Sequence, residues 1–333
     1  MVDQTVLIPA NTCYIVLWAV LQSGNRPILV DVDAHTGLLT PETLDQCLSA
    51  HPGSRPAVVI PAHLYGLPAP MQSIMHWAQA HSVKVTEDAA QAVWGSVDGQ
   101  PLGNWGDAAL FSFGSGKIVD HGVGGMLVSA DETLLAEVES LLQTLPVWDD
   151  HLRQRTNEWQ AIYWALHQHE SNPALVALYP YFYSHYQDLI AYQFPADTTL
   201  DLKLLLNNLP RNIDHRQQLA ARYDHHLRDL PITIPPRTPE TTLWKYPILS
   251  EQRDALLEAL WAVDQTRVTR WYPSLQVMTR ALSAVPQSPT PAADTWGARI
   301  LNLPLDLDTT LEEVDYLCSL IRRFFRNNPP PII

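Results

Sequence analysis

Glu87-Asp88-Ala89-Ala90-Gln91-Ala92, then Phe111-Ser112-Phe113-Gly114-Ser115-Gly116-Lys117, then His121-Gly122-Val123-Gly124-Gly125: these three stretches decide how the chain is read. Gly103-Asn104-Trp105-Gly106-Asp107 lies between the first two. Short apolar runs, Val83–Thr86 and Ala109–Phe113, read as strands of a buried sheet. A carboxylate, Asp88, therefore stands just past one strand, and a lysine, Lys117, just past another in a loop flanked by glycines. Glycine lets backbone come close to a ligand. In open α/β sheets ligands sit beyond the carboxyl ends of the strands, which is where both residues fall.

Outward from this core, strand and helix alternate. Val6–Pro9, Pro27–Val30, Ala57–Ile60 and Met126–Val128 read as further strands. Thr12–Ser23 is apolar nearly all round and predicts a buried helix ended by Gly24. Thr40-Pro41-Glu42 supplies an N-cap, a proline at the first helical position and an acid in the first turn. Met71, Ile74, Met75 and Ala78 recur with the helical period. Such alternation implies a mostly parallel sheet with right-handed crossovers. Residues 131–200 read as helical but irregular, rich in Trp, Tyr and His. A helix over Ile213–Leu230 and an extended piece at Trp244–Leu249 follow, and a capping box at Thr310-Leu311-Glu312-Glu313 opens a last helix through Phe324.

The chain has four lysines, Lys84, Lys117, Lys203 and Lys245, and only Lys117 lies in a glycine-flanked loop after a strand. On position and composition alone, a solvated lysine in a flexible turn is an equal reading. Ser115-Gly116-Lys117 resembles the end of a phosphate-binding loop, but Ile118 stands where a Ser or Thr is needed and the spacing of glycines is wrong. Cys13, Cys47 and Cys318 are far apart, which argues against a disulfide framework, a zinc site or an iron–sulfur cluster, and suits a reducing cytoplasm. The pairs His225-His226 and His167-x-His169 lack the i, i+4 spacing of a helical metal site, so no metal is expected. A formal charge of −14 without a basic cluster argues against a nucleic-acid partner. The longest apolar run, Cys13–Leu21, falls far short of the roughly 20 residues of a membrane span. The aromatic cluster Tyr179-Pro180-Tyr181-Phe182-Tyr183 reads more readily as packing than as a substrate mouth.

From Val6 to Val128 the sequence resembles the DegT/DnrJ/StrS family of sugar aminotransferases. The resemblance is carried by Pro9-Ala10-Asn11-Thr12-Cys13, Gly24-Asn25-Arg26-Pro27-Ile28-Leu29-Val30-Asp31, His63-Leu64-Tyr65-Gly66, the Glu87–Ala92 stretch, Gly106-Asp107, Phe111-Ser112-Phe113, Lys117 and Gly124-Gly125. Trp271-Tyr272-Pro273 and Leu301-Asn302-Leu303-Pro304 extend it less specifically. The resemblance implies an α/β type I pyridoxal-phosphate (PLP) transferase fold: a large PLP-binding domain over 1–200, a smaller α+β domain over 201–326 and a loose tail at 327–333. It implies that Lys117 forms the Schiff base and shuttles the proton, and that Asp88 keeps the pyridine nitrogen protonated. It places Gln91 near the ring's phenolic oxygen, Ser112 on the phosphate and Cys13 against the ring face. It further implies a nucleotide-sugar substrate, an amino-acid donor such as glutamate, and a homodimer.

The chain departs from the family twice. Cys13 stands where many members place an aromatic ring, which shrinks the stacking surface and leaves a core role as the slightly preferred one. Members also carry an upstream helix whose Ser-Gly-Thr start binds phosphate; the sequence here opens at Met1-Val2-Asp3, so either the true start lies upstream or the protein has diverged. These departures motivate a competing expectation: a non-catalytic relative with a sensor or scaffold role. Lys117 argues against the sugar-dehydratase branch, which carries histidine at that position.

Overall fold

Short β-branched runs separated by amphipathic helices build a sheet that grows outward from the first strand. The computed structural model describes residues 2–329 apart from 169–172, 177, 186–188, 190, 196–197, 239, 265–266, 281 and 283–284. His169, most of the expected loose tail (330–333), and the side chains of His167, Tyr179, Pro180 and Tyr183 lie outside what is described. The first part runs β1 (Thr5–Pro9), α1 (Tyr14–Gln22), β2 (Arg26–Val30), α2 (Pro41–Ala50), β3 (Pro56–Val59), α3 (Met71–His81) and β4 (Lys84–Asp88). A small hairpin, β5 (Ser96–Val97) and β6 (Gln100–Pro101), precedes β7 (Ala108–Ser112) and β8 (Gly125–Val128). Helices α4 (Glu132–Leu142), α5 (Asp150–Gln168), α6 (Pro173–Val176), α7 (Tyr179–His185) and α8 (Thr199–Asn207) follow. The C-terminal part holds α9 (Leu209–Leu227), β9 (Tyr246–Leu249), α10 (Arg253–Asp264), α11 (Gln276–Thr279), α12 (Pro291–Arg299), β10 (Ile300–Leu303) and α13 (Leu311–Asn327).

The main sheet has the order β2-β1-β3-β4-β7-β8. All pairings are parallel except β7 with β8. The chain steps one way from β1 to β2 and the other way from β2 to β3 and β4. Right-handed crossovers then put α1 on one face and α2 and α3 on the other. Side chains alternate between these faces. Leu7, Val59, Val85, Glu87 and Ala109 point to the α2/α3 face and are completely buried. Val6, Val58, Lys84, Asp88 and Leu110 share the α1 face, as their register shows. That face is only partly covered among the described residues, and Leu110 is 42% exposed.

The helix starts follow the capping chemistry. Thr40 caps α2 and exchanges hydrogen bonds with Thr43, with Pro41 in the first turn. Thr310 and Glu313 form the expected capping box of α13, whose buried stripe is Val314, Leu317, Cys318, Ile321 and Phe324. The helix expected over Ile213–Leu230 runs Leu209–Leu227, and two strand boundaries shift for tertiary reasons. Strand β4 continues past Thr86 to Asp88 because the Asp88 N–H donates to the Pro61 carbonyl and the Ala89 N–H to Leu110. The β9 ladder starts at Tyr246, not Trp244, because the Trp244 N–H is diverted to the Tyr65 carbonyl at 2.8 Å.

Two buried clusters form the interior. One lies between the sheet and α1, α2 and α3. The other joins α9, β9, β10 and α13 to Tyr65, Phe113, Ile118 and Val119 of the first part. The loop after β7 is thus clamped between the sheet and the C-terminal elements, and that clamp positions the site.

Candidate functional site

Three loops meet at the carboxyl edge of the sheet. Asp88 ends β4, held by its own N–H to Pro61 and by the His63 N–H donating to its carbonyl. Among the described residues its carboxylate accepts only the Ala90 N–H, at 3.1 Å, which leaves most of its lone pairs free for a ligand. Lys117 sits in the loop after β7, which Asp120 ties down by accepting from the Gly116 N–H at 2.8 Å and the Gly122 N–H at 3.1 Å. Gly116 has φ +76°, a left-handed conformation that side chains disfavour, and this turn brings Lys117 round. Ser112 ends β7, and its hydroxyl accepts from the Gly114 N–H at 3.3 Å.

Cys13 caps α1 with extended backbone geometry and no capping bond from its side chain. Burial pushes its thiol above the usual range, and Lys117 pulls it part of the way back. Cys13, Asp88, Ser112 and Lys117 line one cavity of about 460 Å³, whose other walls are mostly apolar side chains of α1 and the sheet. Gln91 is placed differently. It is buried outside that lining, its carbonyl accepts from the Tyr65 N–H at 2.6 Å, and its amide donates to the Tyr272 hydroxyl at 2.9 Å.

The alternation of side chains explains why Glu87 and Asp88 behave so differently. Glu87 points into the covered face and accepts four hydrogen bonds: His63 Nε2 at 3.1 Å and the N–H groups of Gly103 (2.9 Å), Trp105 (2.7 Å) and Gly106 (2.9 Å). His63 Nδ1 in turn accepts from the Ala69 N–H, which fixes its tautomer. Burial alone pushes the Glu87 carboxyl up, but the bonds from His63, Gly106 and Gly103 outweigh it and hold it below the usual range.

The sequence motifs gave no role to the residues that dock the C-terminal part on this site. Gly66 adopts φ +90°, and a Cβ there would lie 2.1 Å from the Thr242 carbonyl oxygen. Only glycine lets the Thr242–Trp244 segment cross so close. Trp244 then donates its indole N–H to the Gly116 carbonyl at 2.5 Å, and its ring lies 5.3 Å from the Lys117 ammonium. Trp271 stacks on Trp244 at 5.5 Å with the planes 2° apart. The signals available in the sequence were Trp271-Tyr272-Pro273 and the H-x-Y-G element, whose Gly66 leaves the gap for this arm and whose Tyr65 carbonyl accepts the Trp244 N–H.

The fold with its carboxyl-edge site defines the class: the type I PLP-transferase fold, with a mostly parallel central sheet. A DegT DnrJ EryC1 StrS aminotransferase from Brucella abortus superimposes with a TM-score of 0.75 at 22% identity, over 97% of this chain and 80% of that one. S. venezuelae DesV, solved in complex with a ketimine intermediate, does so with a TM-score of 0.72 at 23% identity, over 97% and 78%. In sequence, the UDP-N-acetyl-3-dehydro-alpha-D-glucosamine 3-aminotransferase of Acidithiobacillus ferrooxidans is 28% identical over 323 residues, 96% of this chain and 77% of the relative. The model of the DegT/DnrJ/EryC1/StrS aminotransferase family matches residues 2–156 and 202–322, and the chain belongs to that family.

Proposed function

We propose that this chain is a PLP-dependent aminotransferase that moves an amino group from an amino-acid donor to a keto group of a nucleotide-linked sugar. The observation that carries this is the convergence of Cys13, Asp88, Ser112 and Lys117, from three separate segments, on one cavity at the carboxyl edge of the sheet. The donor set fits the cofactor: a carboxylate with free lone pairs for a ring nitrogen, a primary amine for an aldehyde, and a hydroxyl for a phosphate. PLP bound there would supply the aldehyde and an electron-accepting ring. The protein's own contributions are then separable. Asp88 favours a proton on the ring nitrogen, since an adjacent carboxylate stabilises the cation. Lys117 holds the cofactor, and its amine moves a proton at the substrate carbon. Ser112 donates to the phosphate. Cys13 offers a small polarizable contact to the ring face. Gln91 acts one step back by bracing Tyr272, and Trp244 fixes the Gly116–Lys117 turn. Glutamate as donor, a homodimer and a cytoplasmic setting belong to the same proposal. Among the described residues no helix is long and apolar enough to cross a membrane.

Borohydride reduction of the protein incubated with PLP, followed by peptide mass spectrometry, tests this directly. The expected label is a pyridoxyl group on Lys117, with the visible absorbance band absent from Lys117→Ala. A label on another lysine, or on none, overturns the assignment.

A further inference from the structure

Lys117 must serve two partners, a cofactor and a substrate carbon, and it lines two cavities. The first is the mostly apolar one it shares with Cys13, Asp88 and Ser112. The second, about 640 Å³, opens toward the C-terminal part, and its walls include Lys245, Asp306, Thr269 and Trp271. A volume of this size suits a small-molecule ligand. Lys245 Nζ donates to both oxygens of Asp306, at 2.8 and 2.6 Å. The side chain of Lys245 is 10% exposed and that of Asp306 32%, so the carboxylate is the open edge of the pair. A carboxylate pinned by an ammonium keeps lone pairs for other donors, and the ammonium keeps a third proton. Together they form a preorganised donor–acceptor couple, the complement of vicinal hydroxyls. Trp244 neighbours both lysines: the Lys117 and Lys245 ammonium groups lie 5.3 and 5.9 Å from its ring centroid. Thr269 adds a nearly buried hydroxyl that has no partner among the described residues. The other cations on this wall already hold partners: Arg216 the Asn212 side chain and the Trp244 carbonyl, Arg267 the acids Asp308 and Glu313. The wall therefore suits an uncharged polyol better than a dicarboxylate.

On the aminotransferase reading above, we infer that this second cavity receives the acceptor sugar and that Lys245 and Asp306 bind its ring hydroxyls. The two half-reactions separate this from the donor's needs. Wild type, Asp306→Asn and Lys245→Gln are loaded with PLP and mixed with L-glutamate alone, following the conversion to the amine form by absorbance. The amine forms are then mixed with UDP-N-acetyl-3-dehydro-α-D-glucosamine or a dTDP-linked 4-keto hexose. The sugar half-reaction should slow by about tenfold or more in both variants, as expected for lost hydrogen bonds to charged groups. The glutamate half-reaction should stay within about threefold, because an interaction not made with the donor costs it nothing. Asp306→Glu should recover part of the loss, and equilibrium dialysis should show UDP-N-acetylglucosamine, the unreactive alcohol, binding more weakly to Asp306→Asn. Should that variant not fold, Lys245→Gln makes the same test with the Asp306 carboxylate kept. Folded variants whose sugar half-reaction stays within about twofold of wild type, or whose two half-reactions fall together, overturn the subsite. A wild type that reacts with glutamate but with neither keto sugar overturns it too, while leaving the aminotransferase standing. Absence of any reaction with an amino donor, together with no label on Lys117, takes down the functional proposal and this subsite with it.

Discussion

Glu87 and Asp88 are neighbours in the chain and belong to opposite faces of the sheet. On the covered face, Glu87 is completely buried and saturated by His63 and three backbone N–H groups. On the half-open face, Asp88 accepts one backbone N–H and faces a cavity. The difference teaches what each carboxylate is for. One organises the Gly103–Gly106 loop and is used up in doing so. The other has spare hydrogen-bonding capacity, the property a ligand needs. Period-two alternation produces this split from a single dipeptide.

The largest effect expected from breaking the comparison is on catalysis. Asp88→Asn should lower turnover by about a hundredfold or more through loss of the charge that holds the ring proton, a contribution of about 3 kcal/mol. Its urea midpoint should stay close to that of wild type, because only one hydrogen bond is at stake; a large shift in the midpoint would place Asp88 among the structural residues. Glu87→Ala should do the reverse in kind, costing about 3–5 kcal/mol of stability by leaving His63 and buried N–H groups unpartnered. Equilibrium unfolding checks this, and a loss under about 1 kcal/mol would show that water takes over the site.

Gly66→Ala comes next. It forces a Cβ against the Thr242 carbonyl at a positive φ. A loss of about 2–4 kcal/mol is expected, together with weaker docking of the arm that carries Trp244. Tryptophan fluorescence and thermal unfolding report both. Smaller still is the contrast between Ala109 and Leu110, adjacent on β7 and on opposite faces. Ala109→Leu should cost about 1–3 kcal/mol by overpacking the covered face, whereas Leu110→Gln should change stability by less than about 0.5 kcal/mol. Equal effects would mean that the α1 face is as closely packed as the other.

The smallest expected effect is pH dependence. The Glu87 carboxyl is held below its usual range in the folded chain. Its stabilisation is therefore fully present above the unfolded carboxyl range and is lost as pH falls through the lower folded value. Urea midpoints compared between neutral pH and about pH 4 should decline less in Glu87→Gln than in wild type, since that side chain has no proton to take up. An identical decline would assign the acid sensitivity to other carboxylates.

Much of the architecture was legible in the sequence because its signals are local. Hydrophobic periodicity marked the strands and helices of the first part, the capping chemistry at Thr40 and Thr310 marked two helix starts, and the order of motifs placed Asp88 and Lys117 at strand ends. The position of Gln91 shows the limit. Its place in a motif suggested the cofactor's oxygen; the fold adds two partners, the Tyr65 N–H and the Tyr272 hydroxyl, and Tyr272 lies 181 residues away. No local pattern encodes that pairing.

By itself the sequence determined which groups are available: a lone lysine in a glycine-rich turn, a carboxylate at a strand end, a hydroxyl and a thiol near the same edge. Composition and period suffice for this, because backbone sterics and side-chain burial act over a few residues. The tertiary structure alone decided which of them meet and which are already spoken for. It turned Glu87 inward and Asp88 outward, laid Trp244 against the Lys117 turn through the gap that Gly66 leaves, and set the Lys245–Asp306 pair in the wall of a second cavity that the same lysine lines. Those contacts join segments far apart in the chain, and their energy exists only once the hydrophobic core has closed and brought the segments together.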